Sequence, residues 1–82
     1  MIASAPVQLV PLQSLRAGER GRIVDVQGAA SAVNRLHELG LRVGEPLRML
    51  RAGPPYLIQL GEVRLCLRPE ADVVVLVGLG EE

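Results

Sequence analysis

Arg35-Leu36-His37-Glu38-Leu39-Gly40-Leu41-Arg42-Val43-Gly44-Glu45 is the stretch that decides how this chain folds. Leu36 and Leu39, three apart, share a helical face with Ala32 and Val33 behind them, while Arg35, His37 and Glu38 point elsewhere. These are the last turns of an amphipathic helix. Gly40 stands where a helix closing in the left-handed conformation needs a residue without a Cβ, and Leu41 is placed to fold back onto the final turn. Gly44-Glu45-Pro46 then turns the chain into a strand over residues 47–51.

Outward from this segment the pattern is mostly that of strands. The helix covers about residues 29–39, with Ser31 as its candidate cap. Upstream, residues 20–27 carry the β-branched Ile23, Val24 and Val26 without clean alternation, which predicts a strand with a bulge near Asp25. Residues 7–10 form a short strand stopped by Pro11. Downstream, Leu47 and Met49 share one strand face, and Ala52-Gly53-Pro54-Pro55 reverses the chain. Tyr56, Ile58 and Leu60 alternate inward. Gly61-Glu62 joins them tightly to Val63, Leu65 and Leu67, which alternate with Arg64, Cys66 and Arg68 in the clearest hairpin of the sequence. Residues 69–72 have the length and the leading Pro69 of a single helical turn. A last strand over residues 73–77 is apolar on both faces. The fold class is therefore mainly β, a small, partly open barrel of five to six strands with one inserted helix, resembling the SH3-like fold.

Composition bounds the answer independently. A chain of 82 residues holds one domain, here residues 7–79, between a flexible lead-in at 1–6 and an acidic tail at 80–82. Hydrophobic residues make up 49% but aromatic residues only 1%, so the core must be aliphatic, and Tyr56 is the only residue among Phe, Trp and Tyr. Nine basic and nine acidic residues cancel, which argues against a nonspecific grip on nucleic acid. All nine basic residues are arginine, which a GC-rich coding bias explains as simply as a need for bidentate donors. One cysteine forms no internal disulfide, and no stretch approaches the roughly 20 apolar residues of a membrane span. Residues 1–6 lack the pattern of a signal peptide. The expected location is the cytoplasm, peripheral to the inner membrane through a partner.

The segment from Arg35 to Gly44 resembles the FeoA family of bacterial ferrous iron uptake, whose helix ends in an Arg-Leu-x-x-Leu-Gly-Leu-x-x-Gly run. Arg35, Leu36, Leu39, Gly40, Leu41 and Gly44 carry the match. The likeness extends upstream through Leu12, Leu15, Gly18, Gly21 and Ile23, and downstream through Tyr56-Leu57-Ile58 and Val63 to Arg68, in the family's order. The loop at Gly53-Pro54-Pro55 departs from it, lacking the family's acidic residue. The resemblance implies a non-enzymatic accessory protein that binds and modulates the cytosolic part of the ferrous iron transporter FeoB. The alternative is a metal-responsive regulatory or dimerisation module similar to the SH3-like C-terminal domain of diphtheria-toxin-repressor-type regulators.

The residues themselves offer little chemistry. There is one His, one Cys and no glycine motif that cradles phosphate, so no catalytic residue is assigned. A transition-metal site draws three or four ligands from His, Cys, Asp and Glu, often with a helical pair four apart. His37 has no such partner, since Val33, Asn34, Gly40 and Leu41 occupy the neighbouring positions on its face. No cofactor is required. A weak surface site for zinc or iron at His37, shared with a second molecule, is the one metal-binding expectation, and Cys66 reads as a small apolar filler.

Binding remains. If the inward alternation above holds, Leu50 and Leu57 face outward beside the 52–55 reversal, rimmed by Arg35 and Arg42, and these four residues are the candidate partner surface. Val74 and Leu76 also face outward, to be covered by the chain's own helix. A strand over 73–77 placed at a sheet edge would pair with a second copy in a homodimer. A proline-rich ligand is not expected, because Tyr56 alone cannot build an aromatic groove.

Overall fold

The computed structural model describes residues 8–68 and 73–79. Six strands, β1 (Gln8–Pro11), β2 (Arg20–Gln27), β3 (Pro46–Arg51), β4 (Tyr56–Leu60), β5 (Val63–Leu67) and β6 (Val74–Leu79), form one sheet in the order β1-β6-β2-β3-β4-β5. All pairings are antiparallel. The sheet does not close, so β1 and β5 are its edges. One helix, α1 (Ala30–Leu39), is inserted between β2 and β3.

β2 holds the sheet together because its two halves pair with different strands. Arg20 to Arg22 face Arg48 to Pro46 of β3, whereas Arg22 to Gln27 run along β6 from Gly78 to Val74. The register shifts between Ile23 and Asp25, which is the expected bulge, and leaves Val24 exposed while Ile23 is 1% exposed. Asp25 accepts hydrogen bonds from the Val26 amide at 2.9 Å and from Gln27 Nε2 at 2.6 Å, tying down the backbone beyond the bulge. Gly21 lies on β2 against the Val77–Leu79 end of β6. A Cβ there would overlap Val77 Cγ1 and press on the Gly78 carbonyl, so packing, not backbone conformation, demands glycine.

The core is aliphatic, as composition requires. Leu12, Leu15, Ile23, Leu41, Met49, Ile58 and Val77 are its largest fully buried side chains. Leu12 opens a 3-10 turn, Leu12–Ser14, that alternation alone does not predict. The Leu15 amide closes it by donating to the Leu12 carbonyl at 3.1 Å. Both leucines thereby turn into the core.

Several local expectations differ from the structure. The helix has Ala29 at its N-cap with no side-chain hydrogen bond, and Ser31 lies inside the first turn, too late to reach the unpaired amides. Pro11 and Pro46 lie within β1 and β3 at strand ends, where a missing amide is tolerated. Val63 is 53% exposed although it alternates with buried Leu67, because it adjoins the Gly61-Glu62 turn on an edge strand. The strand expected over 73–77 runs from Val74 to Leu79 and is flanked by β1 and β2. It offers no free edge to a second copy. The helical turn at 69–72, the lead-in at 1–6 and the tail at 80–82 lie outside the described residues.

Gly21→Ala is expected to cost about 1–3 kcal/mol through overpacking, and urea unfolding measures it. Combined with Val77→Ala, the cost should fall below the sum of the two single changes, since the obstructing methyl is gone. Strict additivity would show that Val77 is not the obstacle.

Candidate functional site

The end of α1 is built by two hydrogen bonds. Gly40, at φ 109°, turns left-handed; its amide donates to the His37 carbonyl at 3.0 Å and the Leu41 amide donates to the Leu36 carbonyl at 2.9 Å. This is the Schellman closure that Gly40 predicts from sequence. It drops Leu41, fully buried, into the core, with half-buried Leu36 packed against the same cluster. The chain then passes through Gly44, at φ 96°, whose amide donates to the Ile23 carbonyl at 2.8 Å, while the Ile23 amide donates to the Glu45 carbonyl at 2.9 Å. Arg22 Nη1 adds a bond to the Gly44 carbonyl at 2.8 Å. The helix exit is thus stitched to β2.

Leu39 behaves differently from Leu36 and Leu41. It is 43% exposed, although it occupies the apolar stripe of the helix. The reason is a cleft of about 140 Å³ between α1 and one end of the sheet. Ala32, Leu36 and Leu39 form its helical wall. Leu12, Leu67, Val73 and Val75, each at most 8% exposed, form the opposite side. Arg35, Arg68 and Gln13, all exposed, complete the lining among the described residues.

The four residues expected to form a partner surface do not gather in this cleft. Arg35 lines it; Arg42, Leu50 and Leu57 do not. Arg42 folds back, its Nε donating to the His37 carbonyl at 3.0 Å, so that it caps the helix end. Leu50 falls at the register shift between Met49 and Arg51, and Leu57 stands opposite Cys66; both leucines are half-buried. Val74 is 37% exposed and Leu76 half-buried. Cys66 is exposed, not a core filler. His37 is half-buried. Among the described residues no three of His, Cys, Asp and Glu group where they could hold a metal ion, and no helix is long and apolar enough to cross a membrane. Sequence reasoning named Arg35, Leu36 and Leu39 but missed Leu67, Arg68 and Val75. Nothing in a local pattern places the end of one strand against a helix inserted between two others.

Leu41→Ala is expected to destabilise the chain by about 2–5 kcal/mol, as for a fully buried leucine. Leu39→Ser should cost far less, under about 1 kcal/mol. Equal costs in thermal unfolding would show that Leu39 is held as firmly as the core.

The comparisons with known proteins agree with this geometry. The chain is similar to the crystal structure of the iron uptake regulatory protein FeoA, solved by sulfur SAD in a monoclinic space group, with 29% identity and a TM-score of 0.75, over 88% of this chain and all of that one. No curated protein sequence matches significantly. The profile of the FeoA domain matches residues 10–77, a span that runs from β1 through most of β6 and includes the helix closure at Gly40 and the close packing at Gly21. The chain belongs to the FeoA domain family.

Proposed function

We propose that this chain serves ferrous iron uptake as a non-enzymatic accessory protein that docks on the cytosolic part of an FeoB-type transporter. Family membership and likeness to a protein described as an iron uptake regulator support the role in iron uptake. Docking as the mode of action is supported chiefly by one observation. The described residues group no metal ligands, yet they leave an apolar cleft beside a helix whose Leu39 remains 43% exposed. A surface of this kind is stabilised by contact with another polypeptide, because burying apolar area removes it from water. Arg35 and Arg68 on its lining give the contact polarity and orientation.

Retention of purified FeoB cytosolic region on the immobilised chain tests docking. Retention is expected, and Leu39→Asp should reduce it while leaving the fold intact. Lack of retention with either nucleotide-loaded or nucleotide-free FeoB would overturn the reading.

The metal reading assigns His37 a weak zinc or iron site completed by a second molecule. Titration with zinc, followed by calorimetry and sedimentation, should show weak binding accompanied by association. Tight, stoichiometric binding to the monomer that His37→Ala abolishes would instead favour a metal-sensing module.

A further inference from the structure

The antiparallel register places four polar residues in one line across the outer face of the sheet. Arg20 on β2 stands opposite Arg48 on β3, Arg48 opposite Gln59 on β4, and Gln59 opposite Arg64 on β5. Their strand neighbours Leu47, Met49, Ile58 and Leu60 are buried, which turns this line outward. At about 4.8 Å between strands, the line is about 14 Å long. Arg20, Arg48 and Arg64 are exposed, and among the described residues none of their guanidinium groups has a hydrogen bond or an ion pair. Gln59 does not neutralise them, since its amide donates to the Gly61 carbonyl at 2.9 Å. The carboxylates nearest in sequence do not pair with the line either. Glu19 accepts from the Arg16 amide at 2.7 Å, and Glu45 and Glu62 lie outside the strands. Arg22, two residues along β2, and Arg51, opposite Leu57, extend the same face. Five of the nine arginines therefore share it, although the chain as a whole is neutral.

We propose that this face adsorbs to an anionic lipid surface, with Arg20, Arg48 and Arg64 as the central contacts to headgroup phosphates. Charge complementarity supports it. Arg20 and Arg48 repel each other across a strand pair, and a negative surface outside the molecule offsets that cost. The chemistry of the occupant follows from how the guanidinium groups are held. None of the three is oriented by a hydrogen bond, so the line offers charge at strand spacing without a fixed donor geometry. A protein partner would have to present carboxylates at matching places, whereas lipid headgroups diffuse to wherever the charges stand. An outer sheet face also lacks the concavity that encloses a small anion. The proposal goes beyond the docking reading, which uses the residues of the cleft, and does not depend on it.

Sedimentation of the full chain with vesicles of phosphatidylcholine alone, or of phosphatidylcholine and phosphatidylglycerol in equal parts, is the test. Binding is expected only to the vesicles that contain phosphatidylglycerol. It should be lost as salt rises toward about 1 M, where the screening length falls to about 3 Å. Arg20→Gln, Arg48→Gln and Arg64→Gln together should weaken binding about a hundredfold, at roughly fivefold for each charge removed near the surface. The thermal midpoint of that variant should not fall, because the opposed like charges are gone. Arg20→Lys, Arg48→Lys and Arg64→Lys together should preserve binding, since a laterally mobile surface reads charge and not the planar fork. Leu39→Asp, placed in the cleft, should leave vesicle binding unchanged, so that failure of docking and failure of adsorption are read separately. No binding to the anionic vesicles, equal binding to both kinds, or full binding by the Gln variant would each overturn the proposal. So would loss of binding in the Lys variant or in Leu39→Asp, or tighter binding to a DNA duplex than to the vesicles at the same salt.

Discussion

The hydrogen bond from the Leu41 amide to the Leu36 carbonyl is the constraint on which the rest of this structure depends. It forms only because Gly40 adopts a left-handed conformation that costs other L-residues roughly 1–2 kcal/mol. Through it, one turn of backbone both ends the helix and delivers a fully buried leucine to the core. The same turn leads into Gly44 and Glu45, which bond to Ile23 and so fasten the helix exit to β2. Apart from that closure, the helix is held by Ala32 and Leu36 packing on the core. It lacks a side-chain cap at its N-terminus, and an isolated helix of 10 residues is marginal in water.

The sheet meets the helix halfway. β2 is long enough to pair with β3 at one end and β6 at the other, and the bulge at Val24 lets it change partners without losing the inward orientation of Ile23. At Gly21 the strands approach so closely that no side chain is admitted. A small core with no large aromatic group to fill gaps depends on such close approaches, because dispersion falls steeply with separation. A cleft of about 140 Å³ lies between the helix and one end of the sheet.

The exposed arginines beside an aliphatic hollow belong to the FeoA domain framework without being the residues that build it. Leu36, Gly40, Leu41 and Gly44 terminate and seat the helix. Arg35 and Leu39, interleaved with them, are left facing the cleft. A fold-forming motif and the lining of the cleft thus share one segment, with Leu36 belonging to both.

Local order was legible in the sequence because short-range physics governs it. Helical periodicity placed α1 within a residue at its start, alternation placed the β4–β5 hairpin, broken alternation marked the bulge, and Gly40 announced the closure. Tertiary structure decided what those signals do not encode. Strand order put β6 between β1 and β2 and removed the edge that its apolar sequence seemed to offer. It brought Leu67, Arg68 and Val75 to the helix, and left Leu39 exposed although its periodicity equals that of Leu36. The physical reason is that periodicity tells which way a side chain points relative to its own backbone, whereas burial depends on what distant segment arrives opposite it.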